Sequence, residues 1–244
     1  MKKIIITGAN GFLGKKITNF FKKKRFKLIL IDKEKIKKRK NIDTYICDFT
    51  DEQEREIIFQ IIKKRYKSID LIINNAGYTG SIKDKGWITN FENQDLNNWN
   101  KAFEVNLNSI FHLIKILKKN LESSKGRVIN VGSIYSIRSP NPKLYEGLNM
   151  NSPAAYSASK GGLLQLTRWL AIQLAPKISV NMISPIGIKR NQPKKFFKRY
   201  LKNIPMKQMC KEEDILKVIS FLSIEAPKII TGQNIVLDGG ASII

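Results

Sequence analysis

Tyr156 and Lys160 stand four residues apart in the segment Tyr156-Ser157-Ala158-Ser159-Lys160. On a helix this spacing puts a phenol and an ammonium on one face, one turn apart. A phenol titrates near about 10 in water and is a poor proton acceptor at neutral pH. A cation held beside it stabilises the phenolate and draws the pKa toward working pH, as general acid–base chemistry requires. The same pair also fits an ordinary solvated helix face. Its meaning depends on what the rest of the chain brings to it.

A second stretch with chemical content is Thr7-Gly8-Ala9-Asn10-Gly11-Phe12-Leu13-Gly14, which leaves an apolar run and opens a periodic one. Glycines there let a turn tighten and a backbone approach a pyrophosphate seated on free helix N–H groups. Asp32 ends the next apolar run, Leu28-Ile29-Leu30-Ile31. A carboxylate at that place accepts hydrogen bonds from ribose hydroxyls and repels a 2′-phosphate, which favours NAD over NADP. Lys33 follows directly and would welcome a phosphate, so NADP is left open.

These residues need a frame, and the hydrophobic pattern supplies one. Short runs rich in Ile and Val at 3–7, 27–31, 44–47, 70–73, 127–131, 179–183 and 235–237 read as strands covered on both faces. Helix-length stretches lie between them at 12–24, 52–66, 96–121, 153–175 and 212–222. Alternation of this kind predicts an α/β fold, a doubly wound parallel sheet of the Rossmann type with about seven strands and helices on both faces. A single domain over 1–244 is expected. The long connections 78–95, 133–155 and 185–211 all follow strands, so they should wall the site beyond the strands' carboxyl ends.

The chain carries 44 Lys and Arg against 20 Asp and Glu, a net charge of +24. Such a field attracts anions. The basic runs, among them Lys22-Lys23-Lys24-Arg25, Lys37-Lys38-Arg39-Lys40 and Lys63-Lys64-Arg65, are scattered and not interleaved with aromatics. That distribution argues against a dedicated nucleic-acid module. No run is long enough to span a bilayer. The opening Met1-Lys2-Lys3 and Ile4-Ile5-Ile6 stop at Thr7-Gly8, short of a secretory signal. Cys47 and Cys210 are the two cysteines, without metal-binding spacing, and fit a reducing cytoplasm.

With these features in view, the chain resembles the short-chain dehydrogenase/reductase family, in its compact single-domain branch. Asn74-Asn75-Ala76-Gly77 is similar to that branch's Asn-Asn-Ala-Gly signature, and Ser133 after the 127–131 strand to its serine. Tyr156 and Lys160 match its Tyr-x-x-x-Lys pair, and Asn106 in Val105-Asn106-Leu107 its helix asparagine. The ending, Thr231-Gly232-Gln233-Asn234 through Asp238-Gly239-Gly240, is also typical.

The resemblance implies an oxidoreductase in which Tyr156 exchanges a proton with the reacting oxygen and Ser133 holds that oxygen. Lys160 would hold the nicotinamide ribose and acidify Tyr156, and Asn106 would support a proton-relay water. NAD(H) would lie along Gly8, Asn10, Gly11, Phe12, Leu13, Gly14, Asp32, Asp48, Phe49, Asn75, Ala76, Gly77, Tyr156, Lys160, Pro185, Ile186, Gly187 and Ile188. It also implies a homotetramer or homodimer. Two departures stand out. The glycine spacing is closer to the extended branch, with Phe12 where the compact branch has glycine. After Pro185 the expected glycine comes one place late, at Gly187, and Arg190 or a neighbour takes a threonine's place. The extended branch includes sugar-nucleotide epimerases and dehydratases, which remain an alternative, as does a nucleotide- or nucleic-acid-binding protein with a vestigial site.

The segment 139–152 is polar and contains Tyr145, which suits a hydroxyl-rich substrate such as a sugar. Lys189, Arg190, Lys194, Lys195, Lys198 and Arg199 would favour a phosphate or carboxylate on it, and they also fit a solvated helix. Tyr145-Glu146-Gly147 and the Ser152–Tyr156 approach resemble members linked to surface-polysaccharide and nonulosonate sugar synthesis, which implies carbohydrate metabolism. His112, the one histidine, reads as packed or at a subunit contact, and Leu163, Leu166, Leu170 and Leu174 form a stripe open to core packing or subunit contact.

Overall fold

The computed structural model describes residues 1–37, 39–80 and 84–244. Lys38 of the second basic run and residues 81–83 of the first long connection lie outside the described residues. The strands are β1 Lys3–Thr7, β2 Lys27–Asp32, β3 Ile42–Ile46, β4 Leu71–Asn74, β5 Arg127–Val131, β6 Ser179–Pro185 and β7 Asn234–Leu237. All are parallel, in the order β3-β2-β1-β4-β5-β6-β7. The helices are α1 Phe12–Lys23, α2 Glu52–Arg65, α3 Leu96–Phe103, α4 Ser109–Ser124, α5 Ala154–Leu174, α6 Lys194–Lys202 and α7 Glu212–Ser220.

Successive side chains of a strand point to opposite faces, and both faces of the inner strands are dry. Ile4, Ile6, Leu28 and Leu30 face α1 and α7, packing with Ile17, Phe21, Ile215 and Ile219. Ile5, Ile29, Ile31 and Val128 face the other way, onto Phe59 of α2, Leu117 of α4 and Leu163 of α5. The unbroken Ile and Val runs follow from this double burial. The winding reverses between β1 and β4, and a crevice opens there at the strands' carboxyl ends.

Two elements differ from the sequence expectation. The 96–121 stretch is not one helix: a π-helical turn, Glu104–Asn108, separates α3 from α4 and carries Asn106. The connection after β6 contains α6, which buries Phe196 and Tyr200 and turns its lysines outward, so a periodic segment was hidden by its charge. The leucine stripe of α5 is core: Leu163, Leu170 and Leu174 are buried and Leu166 packs against them, while Trp169 and Ile172 are exposed. His112 is packed edge-on against Phe59, with Nε2 2.7 Å from the Glu56 carboxylate. Among the described residues no helix is long and apolar enough to cross a membrane.

Candidate active site

The first wall of the crevice is made of backbone. Gly8 turns the chain out of β1 with φ of +62°, and a Cβ there would stand 2.7 Å from the Cα of Ala76. Gly14 lies under the turn, where a Cβ would meet the Gly8 carbonyl oxygen at 2.0 Å. Close approach of α1 to the strand therefore requires both. Gly11 caps α1 without a side-chain acceptor, and the first turn carries no acid. The opening N–H groups of α1, which no intrahelical carbonyl can satisfy, are left for an anion.

Asn75 bridges from β4 to this turn: its Nδ2 donates to the carbonyls of Thr7 (3.1 Å) and Gly8 (3.0 Å). Thr7 Oγ1 accepts the N–H groups of Asn75 and Ala76. The asparagine thus fastens the glycine turn itself. Asp32 is aimed by two backbone donors, Asn10 N–H to Oδ2 (2.8 Å) and Glu34 N–H to Oδ1 (3.1 Å), leaving lone pairs for ribose hydroxyls. Asp48 accepts from the N–H and hydroxyl of Thr50, which orients it at the far end of the cleft.

The second wall is made of side chains. Ser133 follows β5 by two residues and caps a short 3-10 turn, its Oγ accepting the Tyr135 N–H at 3.2 Å. Tyr156 lies in the first turn of α5 beside the Ser133 hydroxyl, which draws its pKa down, with the Tyr135 ring edge-on at 6.5 Å. One turn on, Lys160 is 4 % exposed and donates to the Val131 carbonyl at 2.9 Å. Its Nζ is 6.0 Å from the centroid of the Tyr156 ring.

Burial pulls Lys160 down to about 8. Burial pushes Tyr156 upward, and the groups that draw it back are the Ser133 hydroxyl and Arg190. One of the three ammonium donors of Lys160 is used by the Val131 carbonyl, which leaves two for a ligand.

Asn106 is fully buried in the π-turn, accepting the Tyr78 N–H at 2.7 Å and donating to Ser159 Oγ at 3.0 Å. A Cβ on Gly77 would lie 3.5 Å from Asn106 Oδ1 and 3.7 Å from Lys160 Nζ, so the three meet around one small space.

The third wall follows β6. Pro185 and Ile186 are buried, and the displaced Gly187 donates its N–H to the Tyr200 hydroxyl of α6 at 2.9 Å. Arg190 lays its guanidinium 4.0 Å above the Phe12 ring. The unexpected aromatic and the unexpected cation are thus one cation–π pair spanning the crevice mouth. Phe12 stands in the wall and the cleft remains open, about 1030 Å³ in volume. Every residue named from the sequence for the cofactor lines it except Gly14, which is buried beneath. Tyr145 joins the substrate side, its hydroxyl 2.7 Å from that of Tyr135 and its ring against Phe196.

The sequence reading missed Tyr135, Tyr200, Thr7 and the Arg190–Phe12 pair. Thr7 directly precedes the glycine turn and carried a local signal; Tyr135 and Tyr200 meet partners 10 and 13 positions away, and Arg190 meets Phe12 from far along the chain. Among the described residues no cluster of three or more His, Cys, Asp or Glu could hold a metal.

Comparison with known proteins agrees with this geometry. The enoyl-(acyl carrier protein) reductase family profile matches residues 25–242. A 3-oxoacyl-[acyl-carrier-protein] reductase FabG of Buchnera aphidicola subsp. Baizongia pistaciae is 33% identical over 254 residues, covering 98% of this chain and 97% of the relative. An NAD-dependent glycerol dehydrogenase of Listeria innocua is 28% identical, covering 99% and 94%. Among solved structures, a short chain dehydrogenase from Leptospira borgpetersenii with bound NAD+ superposes with a TM-score of 0.88 at 30% identity, covering 99% of this chain and 92% of that one.

Proposed function

This chain belongs to the short-chain dehydrogenase/reductase family and is an oxidoreductase, and we propose that it interconverts a secondary alcohol and a ketone with NAD(H). The observation that carries the reading is Tyr156 beside the Ser133 hydroxyl with Lys160 buried one turn on along α5, in the same cleft as the glycine turn. The bound dinucleotide would supply or accept the hydride. The residues at hand fit it: the free N–H groups of α1 for pyrophosphate and the oriented Asp32 for the adenosine ribose. The Leptospira structure, with NAD+ bound, supports the choice.

In the reducing direction Tyr156 gives its phenolic proton to the carbonyl oxygen. Ser133 donates a hydrogen bond to that oxygen and stabilises the charge developing there. Lys160 holds the nicotinamide ribose, and Asn106, next to it, supports the water through which the proton is replaced. The chain works as one domain over 1–244. It assembles as a homotetramer or homodimer, supported by the exposed Phe111, Trp169 and Ile172 on α4 and α5. The two buried free thiols suit the cytoplasm.

The substrate is hydroxyl-rich and sugar-like, with an anionic group near Arg190. Support comes from the polar 139–152 connection, the cations at the mouth and the glycerol dehydrogenase named among the relatives. A second reading, a 3-oxoacyl thioester carried on an acyl carrier protein, is favoured by the Buchnera relative and by Tyr145, Phe196 and Met209 lining the cleft. Sugars, sugar phosphates, nucleotide sugars and 3-oxoacyl thioesters assayed at the nicotinamide absorbance band separate the two. Turnover of a nucleotide sugar without net NADH would instead mean epimerase or dehydratase chemistry.

A further inference from the structure

Arg55 is a charged residue where α2 calls for an apolar one. The buried face of that helix is Arg55, Phe59 and Ile62, at i, i+4 and i+7. Arg55 is 2 % exposed, as deeply buried as its aromatic neighbours. Its Nη1 donates to the Phe49 carbonyl and lies 2.7 Å from Glu104 Oε2. Phe49 and Asp48 line the adenosine end of the cleft. Glu104 opens the π-turn, and its other oxygen accepts from Asn108 Nδ2, at the turn's far end, at 2.7 Å. Between those ends sits Asn106, bonded to the Tyr78 N–H and to Ser159 on α5. One guanidinium therefore links the two ends of the cleft by an ion pair, with Arg55 Nε and Glu104 Oε2 both buried and making no hydrogen bond among the described residues.

Burying such a pair is costly, and apolar replacement of a buried ion pair is often neutral or stabilising. A π-helical turn is itself uncommon and tends to mark functional places. We propose that Arg55 is a positioning residue: through Glu104 it sets the π-turn against α5, and so places Asn106 relative to the adenosine loop. The consequence for turnover rests on the role given above to Asn106 and Lys160. The placement of Asn106 does not.

The test replaces the pair with side chains of similar volume, Arg55→Met together with Glu104→Met. The Tyr78 amide reports directly on Asn106, because its proton is held by Asn106 Oδ1. The double variant is expected to unfold at a temperature close to wild type and to bind NAD within about threefold. Its Tyr78 and π-turn amides should exchange about tenfold faster or more, while those of the rest of α2 and α4 keep their protection. With a substrate in hand, kcat should fall about tenfold with KM little changed, and the pH profile of kcat should shift.

An unchanged Tyr78 amide overturns the proposal, as does uniform acceleration along α2 and α4, which would mark simple loss of packing. A faster Tyr78 amide with wild-type kcat and pH profile upholds the positioning and instead sinks the relay role of Asn106. Should the double variant not fold, Glu104→Gln gives the same readout, since it removes the charge facing Arg55 Nη1 while keeping an oxygen to accept from Asn108 Nδ2. Faster Tyr78 exchange in it supports the proposal and an unchanged rate overturns it.

Discussion

The two halves of the cleft are built by different means. Around Gly8 the wall is backbone: a positive φ, a helix start with no side-chain cap, and an asparagine holding two carbonyls. Around Tyr156 it is side chains converging from β5, α5 and the β6 connection, with Arg190 reaching back to Phe12. A wall made of backbone depends on which residues lack a side chain, and one made of side chains on which residues carry one. Damage to the first should appear as lost binding, and damage to the second as lost chemistry.

The sharpest probe of that division is Tyr156→Phe, which removes one oxygen. Turnover should fall by about 10² or more, the usual size of a general acid–base contribution, with NAD affinity kept. Wild-type rates would break the comparison at its centre.

Lys160→Met probes the same wall through stability. Burial lowers the ammonium to about 8 from 10.5. Between those values the unfolded chain binds more protons than the folded one, so this group makes stability climb as pH rises from about 8 to 10.5. Below that window its contribution is flat and unfavourable. The difference between wild type and variant in urea unfolding should change by roughly 3 kcal/mol across the window. A difference independent of pH would refute the buried charge.

On the backbone wall, Gly14→Val forces a Cβ to 2.0 Å from the Gly8 carbonyl. A loss of about 2 kcal/mol in denaturant unfolding is expected, together with weakened NAD binding. Asp32→Ala is the mildest: the ratio of NAD to NADP affinity should drop about tenfold, the worth of a hydrogen bond to a charged group. An unchanged ratio would mean another group reads the ribose.

This contrast also accounts for what could be read in advance. Gly8, Gly11, Gly14 and Asp32 are local: turn chemistry and a strand end are written within a few residues. The strands were legible because burial on both faces leaves unbroken apolar runs. The π-turn at Asn106 was not, since one extra residue per turn hardly disturbs a helical period. Helix α6 was masked because its nine residues hold five lysines and arginines and its buried face is mainly Phe196 and Tyr200. Arg190 could be named as a nearby cation, but its partner Phe12 lies 178 positions away (190 − 12 = 178). Contacts of that kind carry no local periodicity.

The displaced glycine after Pro185 shows how one departure in a chain enforces another. A Cβ at Gly187 would stand 2.9 Å from both the Tyr200 hydroxyl and the Met209 methyl, and Gly187 N–H is satisfied by that hydroxyl. Swapping Ile186 and Gly187 to restore the common order would drive a branched side chain into the tyrosine and empty a buried site of its isoleucine. Engineers who transplant substrate loops between relatives should move residues 185–211 as one cassette, since its odd spelling is self-consistent only when whole.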